Sequence, residues 1–228
     1  MLCTSCRGAP CCHVTVHLPL QVLFDCGLGD IFVIRVAGHV VDSASVASVE
    51  YAVEHLGALA VIVVGHEKCG AISAAVGEFR ARAAGAHSAA AAAAEAHKAD
   101  EGDPSASHIG SLLGMLQPCV QASVDAFAAA GVRLEDIDGD ELVEAALRMN
   151  VSQTAKSLTD RSPMLAKRVR DGRLAVAGFR YDIDSPADED GDGGWWRPRG
   201  VRLSSEFLCT PRSLQRSTSY PSRPSSPL

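Results

Sequence analysis

The apolar and polar positions divide the chain into a strongly patterned centre and two weakly patterned ends. Ile31-Phe32-Val33-Ile34 is a β-rich run that stops before Arg35 and Gly38, and it reads as a buried parallel strand. Asp42 to Ser45 offers helix N-caps. Val46, Val49, Ala52, Val53 and Leu56 then share one face, Glu50 and Glu54 take the other, and Gly57 closes the segment. This spacing predicts an amphipathic crossover helix. A second continuous apolar run, residues 59–64, follows at once and ends at Gly65. Strand, helix and strand make the unit of a parallel sheet, whose ligand sites lie beyond the carboxyl ends of the strands.

Past residue 70 a helical pattern runs through Ala71, Ile72, Ala75 and Val76 and then gives way to low-complexity, alanine-rich sequence. Residues 83–107 read as an insertion, because alanine favours helix but leaves little to bury. Ile109, Leu112, Leu113, Leu116 and Val120 form another helical stripe, interrupted at Pro118, and a further helix is predicted over 141–158. Ser162-Pro163 reads as an N-cap and first-turn proline, with Met164, Leu165 and Val169 inward and Gly172 as the stop. Residues 174–179 are the last strand candidate. The predicted class is α/β, a parallel sheet core flanked by helices. Residues 13–18 alternate weakly between Pro10 and Pro19, and the Ser/Pro/Arg-rich residues 185–228 read as an unfolded tail.

Composition narrows the function. The 228 residues suit one α/β core plus ends, and a net charge of −6 with pI about 5.7 gives no basic surface for nucleic acid, which points to a small substrate. No apolar run approaches the roughly 20 residues that span a bilayer, and the start has neither the basic nor the apolar region of a secretory signal. A soluble intracellular protein, cytoplasmic or organellar, is expected. Eight cysteines, four of them in the first twelve residues, do not make a disulfide scaffold and suit a reducing compartment. Cys3 and Cys6 form a C-x-x-C followed by Cys11, Cys12 and His13, which reads as half a zinc knuckle, a redox pair or simply a cysteine-rich terminus.

The sharpest chemical signal is Gly65-His66-Glu67-Lys68-Cys69-Gly70, at the end of the second strand. His66 and Cys69 are both zinc-ligand types, and on one helical turn they would project to the same side. The positive end of the following helix favours a thiolate at Cys69. His87, His97 and His108 have no such partner at ligand spacing and read as surface histidines.

Three blocks of sequence carry a family resemblance. Phe24-Asp25-Cys26-Gly27-Leu28-Gly29-Asp30-Ile31-Phe32-Val33-Ile34-Arg35-Val36-Ala37-Gly38-His39-Val40 comes first, Ser48-Val49-Glu50-Tyr51-Ala52-Val53-Glu54-His55-Leu56-Gly57 second, and Val63-Val64-Gly65-His66-Glu67-Lys68-Cys69-Gly70-Ala71 third. Together they closely resemble the β-class carbonic anhydrases. Looser similarity extends through Asn150-Val151, Ser162-Pro163 and Gly178-Phe179-Arg180-Tyr181-Asp182, so the resembling region is residues 18–184. The resemblance implies a parallel sheet of four strands with a further edge strand, completed as a homodimer or higher oligomer. It also implies a Zn²⁺ cofactor with His66 and Cys69 as second and third metal ligands, and a substrate pocket lined by Cys26, where relatives often carry glutamine, and by Gly70. Zinc so held lowers the pKa of water to about 7, so that hydroxide attacks CO₂ to give bicarbonate and a proton.

The family's first ligand belongs to an upstream C-x-D-S-R motif whose Asp and Arg form a catalytic dyad. Counting back without gaps places His13-Val14-Thr15-Val16-His17 there, so the dyad is not matched. Three explanations stand side by side. Residues 1–17 belong to a truncated or wrongly joined gene model, or His13, Cys12 or Cys11 replaces the lost ligand, or the chain is a catalytically dead relative. Functionally, the choice lies between a carbonic anhydrase with impaired activity and an inactive subunit that pairs with an active relative. A thiol enzyme using Cys69 is disfavoured, because His66 is set to share a metal with it and no resolving cysteine is near.

Overall fold

The computed structural model describes Phe24, residues 26–85 and residues 108–181, together with three short strands, Leu2–Thr4, Val201–Arg202 and Leu208–Cys209. In chain order the elements are β1 (Leu2–Thr4), β2 (Ile31–Val33), α1 (Ser43–His55), β3 (Ala60–His66), α2 (Gly70–Ala83), α3 (Ile109–Ala129), α4 (Gly139–Arg161), α5 (Pro163–Arg170), β4 (Ala175–Tyr181), β5 (Val201–Arg202) and β6 (Leu208–Cys209).

β3 is the strand around which the sheet is built. Its five middle residues are buried, as a strand covered on both faces requires, and it pairs in parallel with β4 from Ala60 opposite Ala175 to His66 opposite Tyr181. α4 lies across β3 and β4, with α2 and α3 packed on it, while α1 packs on β1 and α5. The core these elements enclose includes Val49, Val61, Val63, Ile72, Leu116, Leu142, Leu147, Leu158, Leu165 and Leu174.

Local chemistry accounts for the element boundaries. Asp42 caps α1 by accepting from the Ser45 amide at 2.6 Å, Asp138 caps α4, and Ser162 Oγ caps α5 by accepting from the Leu165 amide at 3.2 Å with Pro163 in the first turn. Gly172 follows α5 in the left-handed region at φ 70. Ser162 is also tied to α1 by an Oγ hydrogen bond to Glu50 at 2.5 Å.

The expected α/β class is observed, with the parallel β3–β4 pair as the sheet's centre and helices packed on it, and three details of the sequence reading need correction. The sheet is mixed, in the order β2-β1-β3-β4-β5 with β6 also on β4. The predicted neighbours β2 and β3 are separated by β1, which runs antiparallel to both, so that β3–β4 is the parallel pair among the described residues. The physical reason is that buried edges of β2 and β3 would leave amides and carbonyls unpaired, and Leu2-Cys3-Thr4 satisfies them on both sides. Second, α3 is continuous to Ala129 through Pro118. Pro118 is exposed, the residue four positions before it is the equally exposed Gly114, and Leu113, Leu116, Cys119 and Val120 remain on one buried face, so packing outweighs one lost hydrogen bond. Third, within the presumed tail β5 and β6 pair antiparallel with β4, at Arg180-Tyr181 and at Val176-Ala177. The weak strand expected over 13–18 and most of the alanine-rich insertion lie outside the described residues.

Among the described residues, no helix is long and apolar enough to cross a membrane. His39 is the largest polar side chain in the core, 1% exposed, with a left-handed φ of 50. Burial holds its pKa far down, from 6.5 to about 3. The folded state therefore favours the neutral ring. That contribution to stability is complete above pH 6.5 and is lost progressively as pH falls towards 3. Asparagine tolerates the left-handed backbone and does not titrate. Between pH 6.5 and 4.5 the native chain should lose about 2–3 kcal/mol more stability than His39→Asn, measured by urea unfolding at both pH values. Parallel losses in the two proteins would refute this assignment.

Candidate metal centre

β3 delivers His66 at its last position, and the chain then turns through Glu67 and Lys68 to Cys69, the N-cap of α2. The expectation of a shared helical turn is therefore corrected. His66 is strand, Cys69 is extended at φ −67 and ψ 109, and α2 begins only at Gly70. Lys68, between them, has a left-handed φ of 54, uncommon for a residue with a side chain. The two candidate ligands thus flank one tight turn, between the carboxyl end of a strand and the amino end of a helix.

The hydrogen bonds at this turn decide what each ring can offer. His66 Nδ1 lies 2.6 Å from the Glu67 carbonyl oxygen. A carbonyl only accepts, so Nδ1 carries the proton in the neutral ring and the lone pair is on Nε2. Backbone carbonyls fix metal-ligating histidines in this way. Cys69 is buried, 3% exposed, and is a free thiol.

His39 sits beneath His66, with ring centroids 6.4 Å apart. Its tautomer is the opposite one. The Asn150 side-chain amide donates to the Gly38 carbonyl at 2.5 Å and to His39 Nδ1 at 3.0 Å, which puts the His39 proton on Nε2. Thr154 Oγ1 donates to the His39 carbonyl at 3.2 Å. His39 is a buried donor below the corner and offers no lone pair there.

Charge organises the other side of the turn. The Glu67 amide donates to the Tyr181 carbonyl at 3.1 Å, extending the β3–β4 ladder past its last pair. The Glu67 carboxylate pairs with Arg180 of β4, and Arg180 Nε also lies 2.6 Å from Glu144 of α4. These contacts have a sequence signal, since opposite charges end two apolar runs that pair in parallel, but only the register brings them together. Asn150 likewise carries its role through a contact 111 residues away in sequence, which no local pattern encodes.

The remaining candidates are dispersed. Cys26 is half-buried before β2, and Gly70 is exposed at the start of α2, where a Cβ would meet nothing within 4 Å. Cys11, Cys12, His13, Thr15 and His17 lie outside the described residues. In the backbone register Cys3 pairs with Val61, five residues before His66 and about 17 Å away along the strand. Asp30 accepts from the Gly27 amide at 2.7 Å in a turn, while Arg35, His55 and His108 are exposed. Cys119 is an inert core thiol pushed up to about 12 by burial. Among the described residues no three His, Cys, Asp or Glu side chains converge as a metal cluster. What is present fits zinc as part of a site, with one imidazole lone pair and one buried thiol in a single turn.

With this geometry, the fold is that of the β-carbonic anhydrases. The chain aligns with the β-carbonic anhydrase CcaA at a TM-score of 0.56, covering 76% of this chain and 67% of that one at 20% identity. It aligns with a tetrameric β-carbonic anhydrase of Sordaria macrospora at 0.54, covering 75% and 73% at 20% identity. The family model described as carbonic anhydrase matches residues 16–187, and the chain belongs to that family. Carbonic anhydrase 2 of Mycobacterium tuberculosis is 30% identical over 164 residues, and the carbonic anhydrase of Mycolicibacterium smegmatis is 28% identical over 163. Each alignment covers 72% of this chain and 64% of the relative, so the chain spans slightly less than two thirds of these relatives' length.

Gly65 lets the corner close on the core. A Cβ there would stand 2.5 Å from Val151 Cγ2, 2.9 Å from Leu147 Cδ1 and 3.2 Å from His39 Nε2. Gly65→Ala should cost about 1–3 kcal/mol by overpacking, read as a melting temperature lower by about 2–4 °C per kcal/mol. An unchanged melting temperature would show that α4 moves away freely.

Proposed function

We propose that this chain is a zinc-dependent carbonic anhydrase that hydrates CO₂ reversibly to bicarbonate and a proton, with reduced turnover. The observation that carries the reading is the His66 ring, whose Nδ1 is engaged by the Glu67 carbonyl so that Nε2 keeps its lone pair, three residues before Cys69 on the same tight turn. His66 and Cys69 would hold the ion, with the third donor from Cys11, Cys12 or His13. When bound, zinc supplies the Lewis acidity that makes hydroxide available from water near neutral pH. The Glu67 carbonyl keeps the Nδ1 proton in place and orients the ring, and Cys69 would bind as a thiolate, its proton passing to solvent. Gly70, with open space where a side chain would be, leaves room beside Cys69 for CO₂ or bicarbonate, and the family resemblance would make Cys26 the second lining residue.

Reduced turnover follows from the upstream motif, since Thr15 and His17 stand where the family has its Asp and Arg. Threonine has no carboxylate to orient the nucleophile, and histidine does not reproduce a guanidinium fork. The family's assembly, a homodimer or higher oligomer, is part of this reading. The alternative is an inactive subunit pairing with an active relative, favoured by the two donors, rather than three, among the described residues. Zinc counting on the purified chain separates the readings. About one zinc per chain, lost in Cys69→Ser, is expected for a working site. Absence of zinc together with stable hetero-oligomers would favour the inactive subunit. Stopped-flow CO₂ hydration by the zinc-loaded protein should fall well below family-typical rates, and family-typical rates would overturn the assigned impairment.

A further inference from the structure

We propose that Arg180 is a positioning residue for the metal corner. It would act through Glu67 to hold the turn between His66 and Cys69 in its ligating shape before any metal arrives. The inference rests on the reading of His66 and Cys69 as ligands.

The turn has a reason to need holding. Zinc ligands must meet one ion at about 2.0–2.3 Å, and Lys68 is in the left-handed region, which costs roughly 1–2 kcal/mol for a residue with a Cβ. Three contacts converge on Glu67, the residue between that strained position and His66. Its amide is fixed to Tyr181 at 3.1 Å, its carbonyl fixes the His66 ring at 2.6 Å, and its carboxylate is gripped by Arg180. The first two contacts are backbone features that any residue could make. The third depends on side-chain chemistry.

Arg180 is suited to the grip because it is anchored on the opposite side. Its Nε lies 2.6 Å from Glu144 of α4, and Glu144 is itself held by Arg148 at 2.8 Å. The charges alternate from the turn to the helix as Glu67, Arg180, Glu144 and Arg148. The side chains of Arg180 and Glu67 are 16% and 18% exposed, so this pair is less screened by water than an ordinary surface pair. A guanidinium can serve two carboxylates from one plane. Lysine, a single point charge, can hold one of them well.

The test measures the corner with and without metal in the full chain. Arg180→Ala and Glu67→Gln should each weaken zinc affinity, measured by chelator competition, by about 10–100-fold, the usual effect of losing a contact behind a ligand. The double variant should add little to either single one, since both break the same link. Arg180→Lys should recover part of the loss. In the zinc-free protein, amide hydrogen exchange at Glu67, Lys68 and Cys69 should quicken about tenfold or more in Arg180→Ala, while exchange in the α3 core stays unchanged. The ring-nitrogen NMR shifts of His66 should move from a pure Nδ1–H pattern towards a mixture. Wild-type affinity, exchange and tautomer in the variants would overturn the proposal, as would fully additive losses. If the native chain binds no zinc, the ligand reading fails by itself, and exchange and tautomer then decide the clamp. If Arg180→Ala does not fold, Glu67→Gln decides it, because it removes one charge and keeps the shape.

Discussion

The parallel pairing of β3 with β4 is the contact on which the rest of this molecule depends. Seven residue pairs in register, from Ala60–Ala175 to His66–Tyr181, bring two apolar runs more than a hundred positions apart into one ladder. That ladder buries Val61, Val63 and Val176 and gives α4 a surface to lie on. It also decides which charged residues meet at its end. Because Gly65 stands opposite Arg180, Glu67 emerges beside the guanidinium, and its amide continues the ladder to Tyr181. A shift of one residue would turn alternate side chains to the other face of the sheet and break this link. The candidate metal centre is therefore a product of register as much as of the H-x-x-C spacing.

Beneath that corner the structure trades freedom for fixed polar groups. Gly65 permits Val151 and Leu147 to approach within distances that real Cβ atoms essentially never show, and His39 to a tight 3.2 Å. His39 occupies the space with its tautomer set by Asn150, which donates both amide hydrogens, while Thr154 binds the His39 carbonyl. Burying an imidazole and its backbone is costly unless their polar atoms are engaged, and α4 supplies Asn150 to the ring Nδ1 and Thr154 to the backbone carbonyl. The same helix supplies Glu144 to Arg180, so one helix steadies the corner from below through neutral hydrogen bonds and from the side through charge.

Sequence patterns made the central elements legible because those elements obey local rules. The β3 and β4 runs, the face of α1, the Ser162-Pro163 start of α5 and the Gly172 stop all declare themselves within a few residues. Features set by distant contacts did not. The antiparallel placement of Leu2–Thr4 depends on two unpaired strand edges, and the strands Val201–Arg202 and Leu208–Cys209 are two residues each, too short to carry a period. Pro118 misled for the related reason that an intrinsic helix breaker was outweighed by the buried stripe around it. At the site, ligand types were legible and geometry was not. H-x-x-C spacing suits a helix as well as a strand-turn-cap, and Lys68 in the left-handed region is what selects the second.

The same sheet sets distances that bear on the third donor of the proposed site. β1 runs antiparallel to β3, with Leu2 opposite Ile62 and Cys3 opposite Val61. Cys3, opposite Val61, is separated from the level of His66 by about 17 Å of strand. Cys11 comes eight residues after Cys3, and a chain of that length can span at most about 26–29 Å, enough to return to the level of His66. Cys12 and His13 have longer reach still. Chain length alone is thus compatible with each of the three donors proposed to complete the site.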